Sequence, residues 1–508
     1  MAIFIKKTIC AILAGVMAIA MLSGCNGTVK QGAEKTTLKW MMLGPGEQTD
    51  SQAVMTEFNN RLEKVMPDVN LELEIYPIAD YDQKWKLYAA ANAALDLAWT
   101  GWLVDIIGTV NGSAYMQLDD LIEEYAPDIK NEIPDQYFKK INGGTYFVPN
   151  YQMMFKSPVG LRTHKEISDK YWDVKRAAEI FAQNDTMNEA CYDVIEEYLK
   201  NAKENGDIKL GVSPPTFIFT KGKGYYNVGG ICGVRISDKS LRVVANFEMP
   251  ETKLYFDKMA QWYQKGYIRK DIITVQDPRS YDGKQDGSLI WAHSYFKGDN
   301  EKETAQYGFP IEVVPMDKRY YYDGEITSTG TAIPRGSKNP ETAMKLLNLM
   351  NTKKGAELYN LLVFGLEGQH YKKISDIRIE TFDYADIGQS NSKYGLWKWA
   401  VGNTFNAYLN QAYADDYNDY IKGLNEEVLV DPIPLIDFVL DKSSITTELA
   451  QCQAVSREFQ NSLATGTLPD HESVYAEMVS KMKKAGSDKI VAETQRQVDE
   501  YLKAYADR

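Results

Sequence analysis

The stretch Thr37-Leu38-Lys39-Trp40-Met41-Met42-Leu43, broken by Gly44-Pro45-Gly46, decides the fold of this 508-residue chain. A largely apolar run of strand length that ends on glycine and proline reads as a β-strand leading into a turn. Beyond it, Asp50 can cap a helix whose apolar residues Val54, Phe58, Leu62 and Val65 share one face. Val69, Leu71, Leu73 and Ile75 then alternate, the mark of a strand with one buried face. A second helix over about 81–94 and a strand over 95–100 complete strand, helix, strand, helix, strand. That order predicts a parallel α/β lobe. Ligands of such sheets sit beyond the carboxyl ends of the strands, so the loops at 44–48 and 99–102 are expected to face a cleft.

Upstream of this strand the chain carries an address. Lys6 and Lys7 precede an apolar, small-residue run from Ile9 to Leu22, followed by Ser23-Gly24-Cys25. This order is that of a secretory signal peptide, and the run is shorter than the roughly 20 residues a membrane span needs. Leu22-Ser23-Gly24-Cys25 resembles the lipobox of bacterial lipoproteins, which implies cleavage before Cys25 and lipidation of its thiol. Residues 1–24 are then a signal peptide and 25–35 a lipidated, flexible tether. The expected location is the outer face of the cytoplasmic membrane.

Length and a 44% hydrophobic content predict two or more domains. The formal charge is −13, and losing Lys6 and Lys7 with the signal peptide makes it more negative by two. Such a surface repels phosphate backbones, so nucleic acid is excluded as a partner. Beyond Cys25 only Cys191, Cys232 and Cys452 remain, with no disulfide framework or paired-cysteine metal pattern. They are expected to be buried as small apolar side chains.

Enzyme signatures are weak. His471-Glu472 lacks the second histidine of a zinc-protease helix, and Gly222-Lys223-Gly224 completes neither a dinucleotide fingerprint nor a phosphate loop. His164, His293, His370 and His471 are scattered, so no metal or other cofactor is expected. The carboxylate pairs Asp119-Asp120, Glu123-Glu124 and Asp415-Asp416 read as solvated faces, although a surface glycosidase would need two such groups. The expectation is a protein that is not an enzyme.

Several ordered segments carry a family likeness. Tyr115-Met116-Gln117-Leu118-Asp119-Asp120-Leu121 opens a helix, and Gly143-Gly144-Thr145-Tyr146-Phe147-Val148-Pro149 is a glycine turn with a short strand. Phe256, Met259, Ala260 and Tyr263 share a helix face, ended by Gly266 and Tyr267-Ile268-Arg269-Lys270-Asp271. Ser288 to Tyr295, Phe309 to Pro315 and the Asn339-Pro340 helix start follow, with Ala343, Leu346, Leu347 and Met350 behind it. Gly365 to Tyr371, Trp397 to Asn403, Leu463 to Gly466, Lys484 to Gly486 and Glu493 to Leu502 complete the series, while Ile445, Leu449, Cys452, Phe459 and Leu463 mark a helix there by their spacing alone. Together these resemble the extracellular solute-binding proteins of ABC importers, family 1, in the subgroup with a C-terminal helical extension.

The resemblance implies a two-lobed α/β fold of periplasmic-binding type II with the ligand between the lobes. Lobe 1 is expected to comprise 36–150 and 316–352, and lobe 2 to comprise 151–315 and 353–508 with the extension. Crossings are expected near 149–152, 314–317 and 353. It further implies a monomer that captures an oligosaccharide and delivers it to separate permease and ATPase subunits. Sugar rings stack on aromatic faces while their hydroxyls pair with planar amides and carboxylates. Trp99, Trp102, Trp291, Tyr295 and Trp397 are the stacking candidates, with Trp291 in the segment matching the family's site. Glu47, Gln48, Asn150, Gln152, His293 and Asn403 are the candidates for hydroxyl recognition. Trp85 and Tyr263, on helix faces, are assigned to the core. The alternatives are a peptide or signal-molecule receptor on the same fold, with Arg335 as its one attractive carboxylate-binding residue, and behind it a surface glycosidase.

Overall fold

The computed structural model describes residues 35–155, 159–209, 211–212, 223–274, 291–294, 300, 304, 309–316, 328–382, 393–410, 413–428, 434–435 and 438–506. The signal peptide, Cys25, the tether and Tyr295 lie outside the described residues, and so do the side chains of Trp291 and His293.

The chain starts as its first strands predict. β1 (Thr36–Leu43), α1 (Ser51–Val65), β2 (Val69–Tyr76), α2 (Ile78–Ala91) and β3 (Leu97–Gly101) form a right-ordered α/β start, with β1 parallel to both β2 and β3. β3 is buried along its whole length, as the central strand of a sheet covered on both faces must be. Asp50 does not cap α1. Its carboxylate instead takes His370 Nε2 at 3.0 Å, tying the helix start to a distant loop.

Short helices α3 (Ile106–Asn111), α4 (Asp119–Tyr125) and α5 (Ile129–Glu132) lead to the hairpin β4 (Lys140–Ile141) and β5 (Gly144–Thr145), then β6 (Phe147–Pro149). Asp119, the first residue of α4, binds this hairpin. It accepts from the Thr145 N–H at 2.8 Å, the Thr145 hydroxyl at 3.0 Å and Gln117 Nε2 at 2.9 Å, and it pairs with Lys140. Partial burial opposes its ionisation, but these donors outweigh it and hold the carboxyl well below the usual carboxylate range. A depressed folded pKa gives stability that is present above the unfolded carboxylate value and is lost as pH falls toward the folded value. Asp119→Asn is therefore expected to destabilise the chain at neutral pH and to flatten its stability profile below about pH 4. Denaturant midpoints at several pH values check this; parallel profiles for the two proteins would count against it.

β7 (Val159–His164) opens the second lobe, followed by α6 (Lys165–Tyr171), α7 (Val174–Gln183) and α8 (Glu189–Glu204). A three-stranded antiparallel sheet follows from β8 (Tyr225–Gly229), β9 (Cys232–Arg235) and β10 (Val243–Ala245), and then α9 (Pro250–Gln264). Gly266 ends α9 with φ +70°, the left-handed turn its position predicts. β11 (Trp291–Ser294) and β12 (Ile311–Pro315) flank β7 antiparallel on either side.

The chain then returns. β13 (Thr329–Ala332) inserts antiparallel between β3 and β6, completing the order β2-β1-β3-β13-β6. α10 (Pro340–Asn351), α11 (Ala356–Phe364), the hairpin β14 (Tyr371–Lys373) and β15 (Ile379–Thr381), and α12 (Lys398–Val401) follow. Residues 353–410 were expected in the second lobe, but Leu358, Tyr359, Leu362, Leu396 and Val401 share one core with Leu38, Trp40 and Phe58 of the first. The reason is α11 itself. Every residue from Leu358 to Phe364 is buried, so the helix can only lie inside a core. The first-lobe core ends at Ala407 and Tyr408 and the second-lobe core resumes at Tyr417, so the last crossing falls between them, not near Lys353.

α13 (Tyr417–Val428), α14 (Thr446–Ala464), α15 (His471–Lys484) and α16 (Ser487–Ala506) finish the chain. Leu449, Cys452, Phe459, Leu463, Ile490 and Val498 join the second-lobe core beside Leu161, Tyr192 and Trp262. Cys191, Cys232 and Cys452 are free and buried, as expected of small apolar side chains. Trp85 is buried, and Tyr263 packs half-buried on its lobe's core. Among the described residues no helix is long and apolar enough to cross a membrane.

Candidate ligand cleft

β1, β3 and β6 run in one direction, so Gly44, Gly101 and Asn150 gather at one end of the first-lobe sheet, beside the start of the antiparallel β13. Strands crowd there. A Cβ on Gly101 would lie 2.1 Å from the Ser328 carbonyl oxygen, so only glycine lets β3 and the segment before β13 approach so closely. The next residue, Trp102, donates its N–H to that same carbonyl and leaves its indole 57% exposed.

Trp102 forms one wall of a cavity of about 350 Å³ between the lobes. Gly101, Val104 to Ile107, Lys139 and Ile141 line it with Trp102 from the first lobe, and Tyr226 to Gly229 with Phe438 to Leu440 and Lys442 from the second. The second-lobe wall is a tight turn. Gly229 has φ +115°, and its neighbour Asn227 folds its side-chain oxygen back onto the Gly229 N–H at 2.9 Å. A Cβ at Gly229 would press on Leu440 at 3.1 Å.

An aromatic ladder descends from this end of the sheet into the core. Trp397 and Trp399 stack with ring centroids 5.2 Å apart and planes 14° from parallel, and both are half-buried. Trp399 meets Trp99 edge-on at 6.2 Å, and Trp99 meets Tyr81 at 90° and 5.3 Å. Thr329 sets the ladder. Its hydroxyl accepts from Trp99 Nε1 at 2.7 Å and Asn150 Nδ2 at 3.0 Å, and donates to the Trp399 carbonyl at 2.9 Å. One donor and two lone pairs are thus all used.

The site residues expected from the sequence divide into groups. Trp102 is exposed on the cleft, and Trp397 belongs to the half-buried ladder. Trp99 is fully buried, because it lies within β3 and not in the loop after it, so it supports the ladder and offers no face to a ligand. Gln48 is buried, and its side-chain oxygen takes the Gly395 N–H at 2.9 Å. Asn403 caps a short turn through the Phe405 N–H at 3.0 Å and donates to the Asn351 carbonyl at 3.1 Å. Asn150 is 1% exposed; its amide nitrogen is held by Thr329 and Trp399, while its oxygen has no partner among the described residues. Glu47 is exposed beside the outer edge of β2, away from the cavity that Trp102 lines.

Gln152 is half-buried, and its carbonyl accepts from Asn425 Nδ2 at 2.7 Å in the first crossing. Trp291 and His293 sit on β11 opposite Arg162 and Gly160. Arg335 lies beyond the far end of β13, opposite the cleft end of the sheet, so it does not serve a ligand there. Of the carboxylate pairs, Asp119 is engaged with Lys140 and Asp415 with Arg378. Trp399 and Asn227 were not anticipated. The Trp-Lys-Trp spacing at 397–399 was the available signal for the first, and nothing local marked the second.

Two lobes linked by several crossings, with a cavity between them at the carboxyl ends of the first sheet, define a solute-binding protein fold. The resemblance to the solute-binding proteins of ABC importers read from the sequence is matched by a curated relative along nearly the whole chain. Across 98% of both chains this protein is 24% identical to a carbohydrate ABC transporter substrate-binding protein of Streptococcus pneumoniae. The N-glycan transport solute-binding protein NgtS of the same organism superposes with TM-score 0.75 at 22% identity, over 92% of this chain and 99% of that one. An extracellular solute-binding protein of Bifidobacterium longum subsp. infantis matches with TM-score 0.54 at 13% identity, over 92% and 99%. A family model described as a domain of unknown function, DUF3502, matches residues 434–503, the C-terminal helices.

Proposed function

We propose that this chain is a lipid-anchored, extracellular capture subunit that binds a neutral oligosaccharide between its lobes and presents it to the permease of an ABC importer. The observation that carries the reading is Trp102, an indole left 57% exposed at the rim of an interlobe cavity. Single exposed apolar residues are ordinary, but a tryptophan on an interlobe cavity wall, at the sheet end where Trp397 and Trp399 also stack, suits a sugar ring. The carbohydrate named for the pneumococcal relative agrees with this chemistry. So does a structure of NgtS in complex with Man5GlcNAc.

Closure supplies the signal. A ligand touching both walls binds the closed arrangement better than the open one and shifts the population toward it, which a membrane partner can distinguish. The Leu22 to Cys25 segment would hold the protein at the membrane as a monomer, with permease and ATPase supplied by other chains. No catalytic role is assigned to the cleft.

A thermal-shift series on the chain lacking its first 25 residues tests this reading. A bound glycan at a hundredfold excess over Kd raises stability by about 2.7 kcal/mol. The expected result is a shift with one class of neutral oligosaccharide, recovered intact afterwards. A shift with peptides alone, or consumption of the glycan, would overturn it.

A further inference from the structure

His471-Glu472, which fails as a zinc-protease motif for want of a second histidine, meets its missing ligand from another helix. α15 begins at His471, and α9 carries Asp257 alongside it. One imidazole nitrogen and one oxygen from each of Asp257 and Glu472 lie within 4.8 Å of one another. The geometry points to a site for one borderline divalent cation, of the zinc type, held by Asp257, His471 and Glu472 where the C-terminal helices join the second lobe.

The donor set suits that cation. Zinc takes imidazole nitrogen and carboxylate oxygen at roughly 2.0–2.2 Å, so ligand atoms about 3.3 Å apart surround it. His471 Nε2 and Asp257 Oδ1 already stand 3.0 Å apart, and both side chains are largely shielded. The Asp257 carboxylate is oriented because Lys253 takes its other oxygen at 2.7 Å, leaving Oδ1 for the imidazole side. Glu472 is exposed and makes no hydrogen bond or ion pair among the described residues, so it can swing in without breaking one. Asp470 caps the first turn of α15 through the Ser473 N–H at 3.3 Å, which leaves the imidazole and Glu472 free of capping duty. Water would complete the coordination. Calcium, which prefers six to eight oxygens, is disfavoured by the imidazole.

The two helices lie far apart in sequence, so a cation here would act as a cross-link between the second lobe and residues matched by the DUF3502 model. It is independent of the sugar cleft, and its test is independent too. Titration of the full chain with zinc chloride, followed by calorimetry and melting temperature, is expected to show one site and a raised melting temperature. His471→Ala and Asp257→Asn are expected to abolish both signals, and Glu472→Gln to weaken binding at least tenfold. Each variant's melting temperature without metal reports whether it is folded. Cobalt substituted for zinc is expected to give a visible absorption band that His471→Ala loses. No saturable site, equal binding by all three variants, or a response to calcium in preference to zinc would overturn the assignment.

Discussion

Trp102→Ala is expected to weaken oligosaccharide binding about 30-fold while leaving the unliganded protein as stable as before. The indole is 57% exposed and packs into no core cluster, so its removal opens no cavity in the fold. A tryptophan that a ligand covers contributes about 2 kcal/mol when truncated, and 1.4 kcal/mol is a factor of ten. The neighbouring Trp99→Ala makes the opposite prediction. Its indole is fully buried and donates to Thr329, so its loss is expected to destabilise the fold by about 3–5 kcal/mol before it touches any ligand. Calorimetric titration with a bound glycan, beside denaturant unfolding, separates the two roles. An unchanged Kd for Trp102→Ala would remove the cleft wall from the account of binding.

Asn425→Ala is expected to cost about 3 kcal/mol of stability. Asn425 is fully buried on α13, and its side chain works on the first crossing segment. Its oxygen accepts the Met154 N–H at 2.8 Å and its nitrogen donates to the Gln152 carbonyl at 2.7 Å. Its own carbonyl takes the Tyr137 hydroxyl at 2.9 Å, so one residue of the second lobe holds both the crossing and the first lobe. Alanine leaves a backbone donor and a backbone acceptor without partners, each worth roughly 1–3 kcal/mol when buried. Because the segment crosses between the two cores, the variant is also expected to change glycan affinity without touching the glycan. Denaturant midpoints and Kd values read both effects; a loss below about 0.5 kcal/mol would mean that water replaces the amide fully.

How much of this was legible beforehand follows from the kind of signal each part leaves. The first-lobe strands were readable because Thr37–Leu43 and Val69–Tyr76 carry their burial in local pattern and are bounded by turn residues. The C-terminal face of Leu449, Cys452, Phe459 and Leu463 was readable by period, and all four are buried. The lobe to which α11 belongs was not readable, since a helix buried all round from Leu358 to Phe364 has no single face that names its neighbour. Site residues were harder. Gln48 and Asn403 are the planar amides sugar chemistry calls for, yet backbone groups of distant loops claim them. Side-chain amides serve both ends equally well, so composition alone cannot assign them. The meeting of Asp257 with His471 leaves no local trace either, because α9 and α15 are brought together only by tertiary packing.

The interleaving of the two lobes along the chain fixes when each can come into being. The first core needs Leu38 and Ala407 together, and the second needs Leu161 and Val498. A chain emerging amino end first therefore leaves the first core open until Ala407 has appeared, and the second open until almost its last helix has. Long-range closure of this kind is slow and leaves apolar surface uncovered meanwhile. For a polypeptide bound for the far side of a membrane this delay is an advantage, since a threading channel accepts only what has not yet folded.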